Sequence, residues 1–86
     1  MTEIVLPSGE FCRVGTIRVM DMAAAFAVGN SGILSMAILA HRLATIDGSP
    51  ITLDQVLQMP HANAAPIFHL LTKQMHDSLK TREGIA

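Results

Sequence analysis

A chain of 86 residues with a net charge of −1 has room for one domain, and it lacks the basic face of a dedicated nucleic-acid binder. Half of its residues are hydrophobic, yet Trp and Tyr are absent and Phe occurs three times, so the core must be aliphatic, with six Met helping to fill it. A single cysteine, Cys12, excludes an intramolecular disulfide and fits a reducing compartment, and an N-terminus bearing Glu3 lacks the basic start of a secretory signal.

In chain order, Glu3 to Leu6 is a short apolar run that stops at Pro7-Ser8-Gly9, and a second run, Phe11 to Ile17, follows at once. This predicts a β-hairpin over residues 1–17, marginal alone and therefore laid against helices, with Cys12 as a buried thiol. From Val19 the spacing becomes helical. Val19, Met22, Ala23 and Phe26 fall at i, i+3, i+4 and i+7, while Asp21 points away from that face within the first turn. This helix is expected to end near Gly29, with Asn30 or Ser31 capping the next.

Ile33 to Ile46 is apolar nearly all round, apart from a narrow strip near Ser35 and Arg42, so it predicts a helix covered on several sides. Asp47-Gly48 is expected to close it. Thr52 and Gln55 then form a capping box, Asp54 sits in the first turn, and Ile51 and Val56 occupy the positions of a hydrophobic staple. Pro60 marks a break near Met59, Asn63 is the next predicted N-cap, and Pro66 falls in the first turn after it. Ile67, Phe68, Leu71, Met75 and Leu79 make one apolar stripe, with His69, Lys73, His76 and Lys80 on the polar side. Lys73, Lys80 and Arg82 complement the helix dipole, and residues 81–86 form a frayed tail. The predicted architecture is a single α+β domain, mostly α: a short N-terminal hairpin followed by three to four helices over residues 18–80.

No catalytic or metal-binding constellation emerges from these elements. His69 and His76 lie seven apart, two turns along one helix, and no histidine pair stands at the i, i+4 spacing of a zinc site. Ser31, Ser35, Ser49 and Cys12 lack a nucleophile elbow, and Gly29-Asn30-Ser31-Gly32 has neither the glycines nor the lysine of a phosphate loop. Asp47 and Asp54 already have structural duties. The expectation is a protein that is not an enzyme and needs no cofactor or metal. A helix-turn-helix outline is conceivable, but the helix from Asn63 offers mainly His and Lys. Met22 to Ala40 is uncharged and close to the length of a membrane span. Its centre is Gly-Asn-Ser-Gly and its flanks give no positive-inside signal, so two buried helices broken at that turn are expected instead.

An apolar half is more than so short a chain easily hides, since a domain this size buries little over ~60% of its unfolded surface. The surplus predicts a partner or self-association surface, with a generous internal core as the alternative. The joint Thr16-Ile17-Arg18-Val19-Met20-Asp21-Met22-Ala23-Ala24, the turn Leu6-Pro7-Ser8-Gly9, and the segment Asp47-Gly48, Pro50, Thr52-Leu53-Asp54-Gln55 together resemble small phage tail assembly chaperones. Two departures stand out: Arg18 replaces the usual capping Thr, so no capping box is expected with Asp21, and Asn63 replaces a later capping aspartate. The resemblance implies a non-enzymatic protein of the bacterial host cytoplasm. Such a protein would coat the long helical tape-measure protein and deliver it to the tail-tube protein. The contacting residues expected on this reading are Met59, Ile67, Leu71, Met75 and Leu79, although the same stripe could be plain core. A structural tail or baseplate component and a small holin-like membrane protein are the competing readings, and a homo-oligomer fits any of the three.

Overall fold

A computed structural model describes residues 2–27 and 32–85, with side chains given as far as residue 77. The element order is β1 (Thr2–Val5), β2 (Phe11–Val14), α1 (Val19–Phe26), α2 (Gly32–Leu43), β3 (Ala44–Ile46), β4 (Ser49–Pro50), α3 (Leu53–Gln58) and α4 (His61–Ile85). The mixed α+β class and the N-terminal hairpin are as expected. In the hairpin turn Gly9 N–H donates to the Leu6 carbonyl at 2.8 Å, with Pro7 at the turn's first corner and Gly9 at φ +91°. The predicted cap at Asn30 or Ser31 lies outside the described residues.

The sheet is larger than the sequence reading allowed. Its four strands run antiparallel in the order β1-β2-β3-β4. The helix expected over Ile33 to Ile46 stops at Leu43, and Ala44–Ile46 pairs with β2, placing Cys12 opposite Ile46 and Val14 opposite Ala44. Asp47-Gly48 is therefore a hairpin turn rather than a helix C-cap. Both residues have positive φ, 50° and 82°, the two left-handed conformations that match the twist of a two-residue hairpin. The Asp47 N–H donates to the Phe11 carbonyl at 2.7 Å, and Oδ1 of Asp47 accepts the Phe11 N–H at 3.0 Å. A Cβ on Gly48 would touch nothing within 4 Å, so Gly48→Ala tests conformation alone. It should lose about 1–2 kcal/mol in urea unfolding without changing the slope of the transition.

One face of the sheet, carrying Cys12, Val14 and Ala44, is buried against the helices. At the centre stands α2, which packs on α1, α3, α4, β2 and β3. Its run Ala37-Ile38-Leu39-Ala40 is buried throughout, as an all-round apolar helix requires. The capping box of α3 forms as read: Gln55 N–H donates to Thr52 Oγ1 at 3.1 Å, and Thr52 N–H to Gln55 Oε1 at 2.8 Å. Ile51 and Val56, the staple pair, are both buried.

Three features of α4 differ from expectation, the first being that the helix runs on to Ile85, through most of the stretch from 81 expected to fray. The helix begins at His61, with the N–H groups of Asn63 and Ala64 both donating to the Pro60 carbonyl, so Asn63 lies inside the first turn. Its Oδ1 accepts instead from Ser8 N–H at 3.2 Å, fastening the hairpin turn to α4. Pro66 consequently lies within the helix rather than at its opening. Farther along, Gln74 clips the β2–α1 connection: its Nε2 donates to the Gly15 carbonyl at 2.7 Å, and its Oε1 accepts Ile17 N–H at 2.9 Å.

Candidate functional site

At about 100° per residue, Val19, Met20, Ala23, Phe26 and Ala27 fall on one arc of α1 spanning about 120°. All five are exposed, and Val19 reaches 85%. The opposite side of α1 holds Asp21 and Ala25, both buried at 1% exposure. The expected orientation of Val19, Phe26 and Asp21 is therefore inverted: the carboxylate faces in and the larger apolar side chains face out. Along the exposed arc there is no charge at all. Ile33, in the opening turn of α2, is a further exposed apolar side chain, at 72%.

The inversion has a local cause. Asp21 Oδ1 accepts from Arg42 Nε of α2 at 3.0 Å, and Oδ2 accepts the Arg18 N–H at 2.9 Å, with Arg18 Nε more distant at 3.5 Å. Burial itself pushes this carboxyl up. The Arg18 N–H and the Arg42 guanidinium outweigh that effect and hold it below its ordinary value. A buried charge is tolerable only when paired and hydrogen-bonded, and here it is both. The half of a capping box excluded by Arg18 thus forms after all, through the acidic partner, because Arg18 supplies a backbone N–H that needs no hydroxyl. Ser35 Oγ donates to the Ala25 carbonyl at 3.2 Å and completes the polar seam between α1 and α2.

The partner-binding residues read from the sequence are divided by the fold. Ile67 and Leu71 are fully buried core, which corrects their placement on a contact surface; α4 turns that stripe onto α2 and β2. Met59 is half-buried and packed against the core, and Met75 is half-buried on α4. Leu79 lies beyond the described side chains. Val19, Met20, Phe26 and Ile33, absent from that set, are exposed, as are Val5, Phe11 and Leu57. The signal that could have found them is Arg42, a lone cation in the polar strip of an otherwise apolar helix, which needs an acidic partner.

The outer face of the sheet is a second exposed area. Val5 and Phe11 sit opposite each other there, both exposed. Beside them a hollow of about 570 Å³ opens to solvent, but its charged groups are engaged: Glu3 and Arg13 pair with each other at 2.8 Å, and Asp47 accepts the Phe11 N–H. Among the described residues, no group of three His, Cys, Asp or Glu side chains could hold a metal. His41 Nδ1 bonds to the Ile51 carbonyl at 2.7 Å, and burial pushes the Cys12 thiol up, away from reactivity. Asp54 accepts from Gln58 at 2.9 Å, one turn along α3. No described helix is long and apolar enough to cross a membrane, and the uncharged run is divided between α1 and α2. The chain matches no protein-family model, no curated protein and no solved structure.

Proposed function

We propose that this is a non-enzymatic binding protein whose exposed α1 face receives the apolar stripe of a partner helix. The observation that carries this reading is the inverted helix: Val19, Met20 and Phe26 are turned to solvent without a single charge among them. An apolar patch of this kind on a small domain marks an interaction surface. Methionine in the patch suits varied helical partners, because its thioether side chain adapts its shape. Together with the resemblance of the turn and joint segments, this favours a tail assembly chaperone. In the bacterial cytoplasm it would hold the tape-measure protein soluble and pass it to the polymerising tail tube.

Co-expression with the tape-measure protein of its own phage or prophage tests the reading. The wild-type chain should keep that protein soluble and co-purify with it. The double variant Val19→Lys/Phe26→Glu should lose at least tenfold in capture while its melting temperature moves little, since both side chains are already exposed. Equal capture by both chains would remove α1 as the contact surface. Finding the protein at stoichiometric copy number in finished tails would favour a structural component over a chaperone.

A further inference from the structure

We infer that α1 is a separately opening unit, latched to α2 by the Asp21–Arg42 pair and able to detach while the rest of the fold stays intact. Among the described residues, α2 is the one element on which α1 packs substantially. The packing itself is slight. Of the residues α1 turns inward, Ala25 alone is a buried hydrophobe and Met22 and Ala24 are half-buried; of the larger side chains turned out, Val19 is 85% exposed and Phe26 is more than half exposed. What holds the helix is mainly polar: Asp21 to Arg42 at 3.0 Å and Ser35 Oγ to the Ala25 carbonyl at 3.2 Å.

The chain before α1 is anchored differently. Gln74 of α4 grips Gly15 and Ile17, so the hinge falls at Ile17–Arg18, after the clip and before the latch. To the core of Val14, Leu39, Ile67 and Leu71, α1 adds only the methyl of Ala25 as a buried hydrophobe, its other fully buried side chain being the paired Asp21. Opening therefore breaks the polar seam and uncovers Ala25, Ser35 and the adjoining face of α2, on which Leu39 lies between Ser35 and Arg42, while Val14, Ile67 and Leu71 belong to β2 and α4, on which α1 does not pack substantially. An eight-residue helix has little stability alone, so the opened segment melts rather than swinging out as a rod. Segments with few buried apolar contacts are where local unfolding concentrates.

Native-state hydrogen exchange of the intact chain, read residue by residue, tests the latch. The amides of residues 22–27 should exchange at least tenfold faster than those around Leu39 and Leu71, with almost no dependence on low urea. Ile67→Val, which trims one buried methylene, should speed exchange around Leu39 and Leu71 roughly fivefold and leave α1 unchanged. Asp21→Asn should speed exchange in α1 roughly tenfold or more. The inference is overturned if Ile67→Val accelerates α1 as much as the core, because α1 would then open only when the whole fold does. It is equally overturned if wild-type α1 is as slow as the core, or if Asp21→Asn leaves α1 exchange unmoved. None of these readouts involves a partner, so the outcome is independent of the chaperone reading.

Discussion

Arg42→Ala is expected to destabilise the fold by about 2–4 kcal/mol, far beyond what losing an ordinary surface cation would do. Breaking a buried pair from one side costs about 3–5 kcal/mol because the remaining charge is stranded. Arg42 is itself 31% exposed on its side chain, and Asp21 keeps the Arg18 N–H, so the expected cost falls about 1 kcal/mol below that span. Asp21, at 1% side-chain exposure, is the partner left behind. Replacing both groups with apolar residues, as in Asp21→Leu/Arg42→Met, should cost less than Arg42→Ala alone. Urea unfolding of the two variants decides the matter. If Arg42→Ala costs no more than about 0.5 kcal/mol, the pair contributes no more than an exposed one would.

The same pair sets an acid limit. Folding lowers the Asp21 pKa from its ordinary 3.8, so the unfolded chain takes up the proton first as pH falls. The stabilisation from this group is complete above about pH 4 and drains away as pH drops through the lower folded value. In Arg42→Ala the carboxyl loses its strongest cationic neighbour and the acid limb should begin at higher pH. Thermal melts between pH 2.5 and 6 would show that displacement.

How much of this was legible in the sequence follows from the range of each interaction. The hairpin turn at Pro7-Ser8-Gly9 and the capping box at Thr52 and Gln55 are signals closed within a few residues, and both formed as read. The Asp47-Gly48 turn was equally local but ambiguous. Glycine after an apolar run serves a helix terminus or a tight hairpin, and Thr45 and Ile46, β-branched and paired with β2, decide for the hairpin. Helical periodicity turns Asp21 outward because it assumes that a carboxylate seeks water. Its answer lay 21 residues away, in Arg42. The exposed face was hidden by the same assumption, since the residues that look most like core on α1 are those the ion pair turns outward. Gln74 had no sequence signal at all. A lone glutamine on the side of a helix is ordinary, and its grip on Gly15 and Ile17 exists only in three dimensions.

Leu39→Ala should be the most damaging single substitution in α2, at about 3–5 kcal/mol. Leu39 has no exposure and lies midway along the helix on which the other three helices and two strands pack. Truncation removes three carbons and leaves a cavity that neighbours on several sides cannot all relax to fill. An 86-residue domain has total stability of about 4–13 kcal/mol, so the variant should sit near the edge of folding at 37 °C. The informative control is Ile33→Ala on the same helix. At 72% exposure it should change stability by less than about 0.5 kcal/mol if the chain is a monomer in solution. Should Ile33→Ala instead cost more than about 1 kcal/mol, with a melting temperature that rises with protein concentration, a second copy of the chain already covers that face. The contrast between two aliphatic residues six positions apart therefore reports both the depth of the core and whether the apolar surface is free to receive another chain.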